Sequence, residues 1–407
     1  MMEEIDLDFP NLKTELQQNI NIICNTKAQL NSMDVTLIHQ KNGFMSKMFL
    51  AKLAWQQSEL GNNQLPKSLI LKVTNRNQQS DVVTNIAELM QDNQFSSNFV
   101  DQSHNCEVDF YQMIHANKLT MEIFPKCYLA RPVTPPTDRG ILALENLNDR
   151  AALIDDMSTS MTVGQLLSLF EATARFHAWC LTTDVDWMSM FSKYANRYNM
   201  TKNFNQVVKN GLQWFQTQKP ELSGDLNEEM IVQFFEQSSM EKLLKKLRTI
   251  TPVVLKHGDF WTNNIFFHKQ QPGGKASDQL AAIIDWQMAG PGSVMEDFVC
   301  VLAWCTSSVV RRANQRMLID HYYDKLKKYT NGKVELPEKE AFWQAYKLAF
   351  PLRGLLLLCL LNILLGNLVK IDTDDNGQLR KEEMISRAID CYKDSVEFLS
   401  EISSINC

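Results

Sequence analysis

The sequence lacks a basic tail or a block of Lys and Arg residues. Its 41 basic residues are outnumbered by 47 acidic ones, so the formal net charge is −6. Domains that bind nucleic acid carry a basic patch or stripe, and we therefore expect no nucleic-acid partner. Residues 1–10 are acidic and lack the charged and then apolar order of a secretory leader, which predicts a cytoplasmic protein.

Cysteine pairs of the kind that bind zinc are also absent. The nine cysteines are an odd number, are scattered along the chain and include no C-x-x-C sequence. Disulfide frameworks and zinc sites depend on regular pairs. The pattern predicts free thiols in a reducing compartment.

No apolar run is long enough to cross a membrane. The most apolar stretch, Gly354 to Val369, contains Asn362 and Asn367 and follows Arg353. It is shorter than the roughly 20 residues that a bilayer requires. We therefore predict a buried helix and no transmembrane segment.

A glycine-rich loop of the form G-x-G-x-x-G is missing before the first long apolar run. Gly43 could let a hairpin backbone approach phosphates, with Ser46 as a donor. A plain β-turn fits the same residues equally well.

What is present is an ordinary globular composition, 44% hydrophobic and 22% charged. Residues 1–145 alternate strand-like and helical runs, whereas the remainder is mainly helical apart from short strands at 252–256 and 281–285. This predicts an α+β fold with two lobes. The small lobe would span 1–145, the hinge 146–150 and the larger lobe 151–407.

The most informative segment is H-G-D-F-W-T-N-N, which ends at Asn264 and is followed by I-I-D-W at 283–286. Asp259 stands in a turn after one apolar run, and Asp285 closes a second. Phosphoryl transfer needs a carboxylate to accept or orient a hydroxyl proton, and an amide oxygen and a second carboxylate to hold Mg²⁺. We predict Asp259 as the catalytic residue and Asn264 and Asp285 as metal ligands. The alternative is a polar turn with a structural aspartate.

A single lysine, Lys72, interrupts the apolar run at 68–73. An unpaired lysine is almost never buried, so Lys72 either has an anionic partner or faces water from an edge strand. The segment 107–114 has apolar residues at helical spacing and carries two candidate partners, Glu107 and Asp109.

The string H-G-D-x-W-x-x-N with I-D-W-Q resembles the ecdysteroid-kinase-like family, also called CHK kinase-like. That family is similar to choline kinases and aminoglycoside phosphotransferases and more distantly to protein kinases. Trp261 favours the ecdysteroid-kinase-like branch, and the protein-kinase strings H-R-D, D-F-G and A-P-E are absent from the corresponding places. The resemblance implies a protein-kinase-like fold in which the lobe 1–145 has an antiparallel sheet and binds the nucleotide, while the lobe 151–407 is catalytic and binds the acceptor. It also implies ATP and Mg²⁺ as cofactors and a small-molecule alcohol acceptor such as a steroid.

The resemblance also assigns residues. It implies that Lys72 binds phosphates, that Glu107 is its partner, and that the backbone from Glu145 to Leu147 meets adenine, with Asn146 in place of the usual Asp. Three residues are expected to act structurally: His177, His257 and Asp297.

Three alternatives stay open at this stage: a calcium-responsive binding protein, a non-catalytic scaffold and a kinase for another acceptor. The segment Asp372 to Glu383 fits several ligand positions of an EF-hand loop. EF-hands normally pair, and no second loop is visible, so we expect no calcium site. A nucleotide-binding scaffold without catalysis, and a choline-, ethanolamine- or aminoglycoside-type acceptor, are the remaining alternatives. The sequence does not determine the oligomeric state.

Overall fold

The fold is described from a computed structural model. It describes residues 11–38, 46–56, 65–74, 93–134, 139–154, 156–195, 204–270, 274–367 and 375–405.

In the part of the N-terminal lobe that the structure describes, an antiparallel sheet is accompanied by two helices. Its elements are α1 Leu12–Ile23, β1 Leu30–Leu37, β2 Ser46–Trp55, β3 Ser68–Thr74, α2 Asn93–Ala116, β4 Cys127–Arg131 and β5 Ile141–Glu145. Within the described residues the sheet has five strands in the order β1-β2-β3-β5-β4, and every neighbouring pair is antiparallel. Strand β3 is therefore central, with a partner on each side.

The two faces of β3 have different roles. Leu69, Leu71 and Val73 alternate along the strand and belong to the buried core of the N-terminal lobe. Helix α1 contributes Leu12 and Leu16, one helical turn apart, to the same core. Lys72 lies on the opposite face of the strand, which is the consequence of the two-residue period of a β-strand.

The C-terminal lobe is mainly helical. Its elements are β6 Ala151–Ala152, α3 Val163–Thr182, α4 Trp187–Ser192, α5 Phe204–Gln218, α6 Glu228–Phe234, α7 Gln237–Ile250, β7 Val253–Lys256, β8 Ile265–Lys269, β9 Ala276–Ile283, β10 Gly290–Ser293, α8 Met295–Trp304, α9 Ser308–Thr330, α10 Lys339–Asn367 and α11 Asp375–Ile405. Two small sheets, β6-β8-β9 and β10-β7, carry the loops of interest.

Helix α10 occupies the centre of this lobe. It packs against α5, α8 and α11, and Leu355, Leu357 and Leu358 are fully buried. Within the described part of the chain, one helix, Lys339–Gly366, is apolar and long enough to span a membrane, and most of its apolar stretch is buried inside the protein. The length expectation from the sequence is therefore wrong, because the apolar helix begins well before Gly354, but the predicted burial of this helix is confirmed.

The two-lobed α+β fold predicted from the sequence is confirmed by these elements. Strands β8 and β10 were not predicted. Strand β10 reads G-P-G-S, which is typical of a turn, and it becomes a strand only because it pairs with β7. The described cysteines are free thiols, as expected.

Candidate active site

The two lobes meet at Lys72. Its Nζ atom lies 2.5 Å from Oε2 of Glu107 on α2 and 2.5 Å from Oδ1 of Asp285 after β9. Lys72 is 7% exposed and Glu107 is fully buried. The prediction of an anionic partner is confirmed, and the edge-strand alternative is wrong because β3 is central. Asp109, the other candidate, instead accepts from Tyr194 Oη at 2.7 Å.

One ammonium group therefore serves two carboxylates. Burial lowers the pKa of Lys72, but Asp285 and Glu107 outweigh burial and hold that pKa above its usual range. Burial raises the pKa of the Glu107 carboxyl to about 7, with Lys72 opposing the rise and Asp285 adding to it. Such a cluster suits the addition of a cation, which would relieve the repulsion between the carboxylates.

Asp285 is presented by a strained turn. It adopts a left-handed backbone with φ 67° and ψ 55°, which is uncommon for a residue other than glycine. The next residue, Trp286, stacks on Phe110 of α2 with ring centroids 4.0 Å apart. Its indole N–H donates to the carbonyl of Ile283 at 3.1 Å. These contacts fix the turn on both lobes, so the direction of the Asp285 side chain is well determined.

The loop that carries Asp259 is held in place by hydrogen bonds to Asp297. Asp297 accepts hydrogen bonds from the backbone N–H groups of His257 at 2.7 Å and Gly258 at 2.9 Å. His257 Nδ1 accepts from the Asp259 N–H at 3.2 Å, which leaves Nε2–H to donate to the Ile284 carbonyl at 2.8 Å. The predicted structural contributions of Asp297 and His257 are thus visible as hydrogen bonds. His177, which was expected to have a packing role, is buried, and its Nδ1 atom forms a hydrogen bond with Tyr322 Oη at 2.8 Å.

Asn264 links Asp259 to the metal side of the site. Its NH₂ group donates to the Asp259 carbonyl at 2.8 Å and to Asp259 Oδ2 at 3.0 Å. Because the NH₂ group is turned toward Asp259, the amide oxygen points away from it. The backbone carbonyl of Asn264 accepts a hydrogen bond from the backbone N–H of Ile284 at 2.9 Å. Asn264 and Asp285 therefore stand at the ends of adjacent strands.

The Asp259 carboxyl is electrostatically tuned. Burial raises its pKa, and the neighbouring Asp285 raises it further, whereas His257 and Arg353 oppose the rise. Arg353 reaches the loop from α10 and donates to the Gly258 carbonyl at 3.1 Å. A buried carboxyl with a raised pKa beside a second carboxylate is a typical feature of a proton-accepting site.

The donor set fits a magnesium–nucleotide complex. Mg²⁺ normally takes one or two protein carboxylates and completes its shell with phosphate oxygens and water. Among the residues that the structure describes, no cluster of three or more His, Cys, Asp or Glu side chains could hold a metal alone. One carboxylate and one amide oxygen beside a buried lysine match a metal that is held partly by phosphates.

The remaining predicted nucleotide contacts lie in the N-terminal lobe and at the predicted hinge. Ser46 is the first residue of β2, opposite Thr74, and Gly43 lies outside the described residues. The Glu145 side chain forms an ion pair with Arg150 at 2.8 Å, so only its backbone could serve adenine. Leu147 is buried and begins a short 3₁₀ turn capped by Asn146. These assignments, the hinge bounds and the lobe boundaries stay predictions.

An apolar cavity of about 320 Å³ lies against the loop that carries Asp259. Gly258 and Met288 line it, together with Leu352, Arg353 and Leu356 of α10. Three aromatic residues also line it: Tyr194, Phe204 and Phe235. Its volume is within the range of small-molecule sites, which are mostly apolar with a few polar groups.

Sequence reasoning missed the cavity and two polar residues of the site. Arg353 was recognised only as the charge at the edge of an apolar run, and an arginine in such a helix is a signal of a buried polar partner. Gln287 stands within the recognised I-D-W-Q string, but no role was predicted for it. Its side-chain N–H donates to Asp285 Oδ2 at 3.2 Å.

These elements define the class of fold. Protein-kinase-like folds pair a lysine of a central strand with a glutamate of a helix, and place beside them an aspartate of the helical lobe at the position that binds magnesium. The same arrangement is present here. The chain belongs to the family DUF1679, described as "Uncharacterized oxidoreductase dhs-27", whose profile matches residues 12–401.

Two curated relatives from Caenorhabditis elegans are similar to this chain. One is named uncharacterized oxidoreductase dhs-27 and is 24% identical over 236 residues, which are 55% of this chain and 26% of that protein. The other is an uncharacterized kinase-like protein, 24% identical over 226 residues, with 55% of this chain and 56% of that protein covered. The matched region thus spans about a quarter of one relative and just over half of the other.

Solved structures of small-molecule kinases are among the similar folds. A choline kinase from Cryptosporidium parvum Iowa II has a TM-score of 0.47 and 11% identity, with 90% of each chain covered. An ADP-bound aminoglycoside phosphotransferase has a TM-score of 0.39 and 15% identity, covering 94% of this chain and 99% of that one. Both TM-scores are below 0.5, so the fold assignment depends on the strands, helices and ion pairs given above.

Proposed function

We propose that this protein is an ATP- and Mg²⁺-dependent kinase that transfers the γ-phosphate to a hydroxyl group of a small molecule. One observation carries the proposal: Lys72 Nζ lies 2.5 Å from both Glu107 and Asp285. Kinases need a strand lysine, its helix glutamate and a metal-binding aspartate in place together. This chain brings the three together from separate elements of both lobes.

Each residue then has a defined part in the reaction. Lys72 would bind the α- and β-phosphates, and Asn264 and Asp285 would hold Mg²⁺, which neutralises charge on the transferred phosphoryl group. The acceptor oxygen forms a bond to the γ-phosphorus while the bond to the ADP oxygen breaks. Asp259 accepts the proton of the hydroxyl group. The hydrogen bond from Asn264 to Asp259 would keep the base beside the metal.

The favoured acceptor is an apolar, neutral alcohol, as the resemblance to ecdysteroid-kinase-like proteins implies. The cavity beside Gly258 supports this choice because its wall is largely apolar. Glu296, which lines it, is paired with Lys256 at 3.3 Å and also accepts from the Ser293 N–H at 2.8 Å. That carboxylate is therefore already compensated and is poorly suited to bind a cation.

A choline- or ethanolamine-type acceptor is the second candidate. Three aromatic side chains line the cavity: Tyr194, Phe204 and Phe235. Aromatic faces can bind quaternary ammonium groups. Competition between choline and a neutral alcohol for the same site would decide between the two candidates.

The test is a direct acceptor screen. The protein is incubated with ATP, Mg²⁺ and a panel of hydroxysteroids, aliphatic alcohols, choline, ethanolamine and aminoglycosides, and phosphorylated products are detected by mass spectrometry. We expect a neutral alcohol to gain a phosphoryl group. Filling the cavity with Met240→Trp should suppress transfer without changing Mg²⁺-ATP binding, because Met240 lines the cavity on α7.

Thermal shifts separate the other kinds of function. Mg²⁺-ATP should raise the melting temperature by mass action. Binding without transfer to any acceptor would favour a non-catalytic nucleotide scaffold. Stabilisation by NAD(P)H instead would favour the activity in the name of the C. elegans relative, of which the matched region is 26%.

A further inference from the structure

We propose that Gln287 is a positioning residue of this site, whose side-chain amide orients the Asp285 carboxylate for Mg²⁺ beside Lys72. The inference rests on the proposed function, since it concerns the metal–nucleotide end of the same site. Gln287 is 8% exposed and lies in the 3₁₀ turn 286–288 that follows Asp285.

The contacts form a closed ring of three side chains. Gln287 Nε2 donates to Asp285 Oδ2 at 3.2 Å, and Gln287 Oε1 accepts from Lys72 Nζ at 3.5 Å, the outer limit of a hydrogen bond. Lys72 Nζ also donates to Asp285 Oδ1 at 2.5 Å. Both oxygens of Asp285 therefore have a defined donor. An amide can accept from an ammonium group and donate to a carboxylate at the same time, which a carboxylate side chain cannot do.

The turn that carries Gln287 is rigidly mounted. Trp286 stacks on Phe110 with an interplanar angle of 5°, and Met288 is buried. The amide consequently acts from a fixed backbone, and its contact with Asp285 restricts rotation of a metal ligand. Outer partners of this kind typically change metal affinity ten- to a hundredfold when they are removed.

Gln287→Met is the informative variant because it keeps the size of the side chain and removes both hydrogen bonds. Gln165→Met is the matched control. Gln165 is also buried, at 5% exposed, and it bonds to the Ser277 carbonyl and Thr162 N–H at the start of α3. It therefore reports the general cost of removing a buried amide away from the site.

The measurement is ATP binding by isothermal titration calorimetry with and without Mg²⁺, together with the melting temperature of the ligand-free protein. We expect Gln287→Met to weaken Mg²⁺-ATP binding on the order of tenfold or more and to change Mg²⁺-free ATP binding much less. Gln165→Met should leave both affinities near those of the wild type. Mn²⁺ binding in the presence of a non-hydrolysable ATP analogue can be followed by electron paramagnetic resonance. We expect it to be weakened in Gln287→Met and to be close to the wild-type value in Gln165→Met.

Two failures can be distinguished. A wild-type protein that binds no Mg²⁺-ATP would refute the proposed function and the role of Gln287 with it. A wild type that binds Mg²⁺-ATP, beside a Gln287→Met protein with the same magnesium dependence, would overturn the role of Gln287 alone. Should Gln287→Met fail to fold, Gln287→Asn retains an amide that is too short for the ring, and the same comparison applies.

Discussion

The lysine end and the cavity end of the site are built by opposite means. At the lysine end, three charged side chains from both lobes meet within 2.5 Å contacts. At the cavity end, mostly apolar side chains of the C-terminal lobe form the wall together with a few charged ones, and the charge of Glu296 is paired with Lys256. Direct charge contacts specify the chemistry of the ligand, whereas an apolar wall specifies only its size and polarity.

The two ends meet at the loop of Asp259. Asn264 connects this loop to the lysine end through its hydrogen bonds to Asp259. Arg353 connects it to the cavity end, because it lines the cavity and donates to the Gly258 carbonyl. Changes at either end should therefore affect binding of one substrate, and changes in the loop should affect transfer between them.

The largest effect is expected at the meeting point. Asp259→Ala should lower phosphoryl transfer by on the order of 10²–10⁴, because the acceptor proton loses its base. Mg²⁺-ATP binding should remain close to that of the wild type, since the proposed role of Asp259 is to accept the acceptor's proton and not to bind the nucleotide. Steady-state kinetics on a verified acceptor, with calorimetry for ATP, provide the check. Full activity of the variant would remove Asp259 from the mechanism.

Asp285→Asn should break the lysine end alone. The change removes the negative charge that would hold Mg²⁺. We expect the Mg²⁺-dependent affinity for ATP to fall at least tenfold, since removal of a residue that only orients a metal ligand already costs about that much. Acceptor binding at the cavity should be unchanged. ATP is titrated with and without Mg²⁺, and an unaltered magnesium dependence would make Asp285 a structural residue.

The difference between the two ends also explains what the sequence could predict. Lys72 was singled out because a charge within an apolar run has few physical explanations, whereas the choice of Glu107 over Asp109 and the structural role of Asp297 came from the family resemblance. The cavity could not be predicted, because its wall joins residues that are distant in the chain, such as Phe204 and Leu352. Their apolar side chains look like any other core residues until the helices are packed.

Strand β10 and Arg353 show the same limit. The G-P-G-S sequence has low strand propensity, and only pairing with β7 makes it a strand. Arg353 was visible, but its partner was not, because the Gly258 carbonyl is a backbone atom with no sequence signature. Local chemistry was thus predictable from the sequence, and non-local packing was not.

Gly211→Ala should disturb the cavity end by separating α5 and α10, the two helices that contribute Phe204 and Leu352 to its wall. A Cβ atom at Gly211 of α5 would lie 1.7 Å from the Cys359 carbonyl oxygen of α10, so the two helices would have to separate. Overpacking of this kind costs about 1–3 kcal/mol of unfolding free energy, measured by urea denaturation. Gly366→Ala on α10 is the control, since nothing lies near its added Cβ. Equal stability of the two variants would contradict the close helix contact.

His177 lies near Phe298, with ring centroids 6.4 Å apart, next to the Asp297 that holds the Asp259 loop, and it offers a smaller, pH-dependent test. Burial lowers its pKa to about 4 from the usual 6.5, so between these values the unfolded chain binds a proton that the folded chain does not. Stability should therefore fall as pH decreases from 6.5 to 4. His177→Gln should show a shallower fall in melting temperature. Parallel curves for the two proteins would mean that His177 is not buried as the neutral form.

The smallest effect is expected from the acidic segment at 372–383, which would be a third, charge-based site if it bound calcium. Residues 372–374 lie outside the described part of the chain, but α11 already begins at Asp375, where an EF-hand loop would still have to turn. Glu383, the expected bidentate ligand, is paired with Arg387 at 2.9 Å. Calorimetry should show no calcium binding tighter than about millimolar, the weak end for such loops. The double variant Asp372→Ala with Glu383→Gln should leave transfer unchanged, whereas a micromolar site that disappears in it would make calcium a regulator of this kinase-like fold.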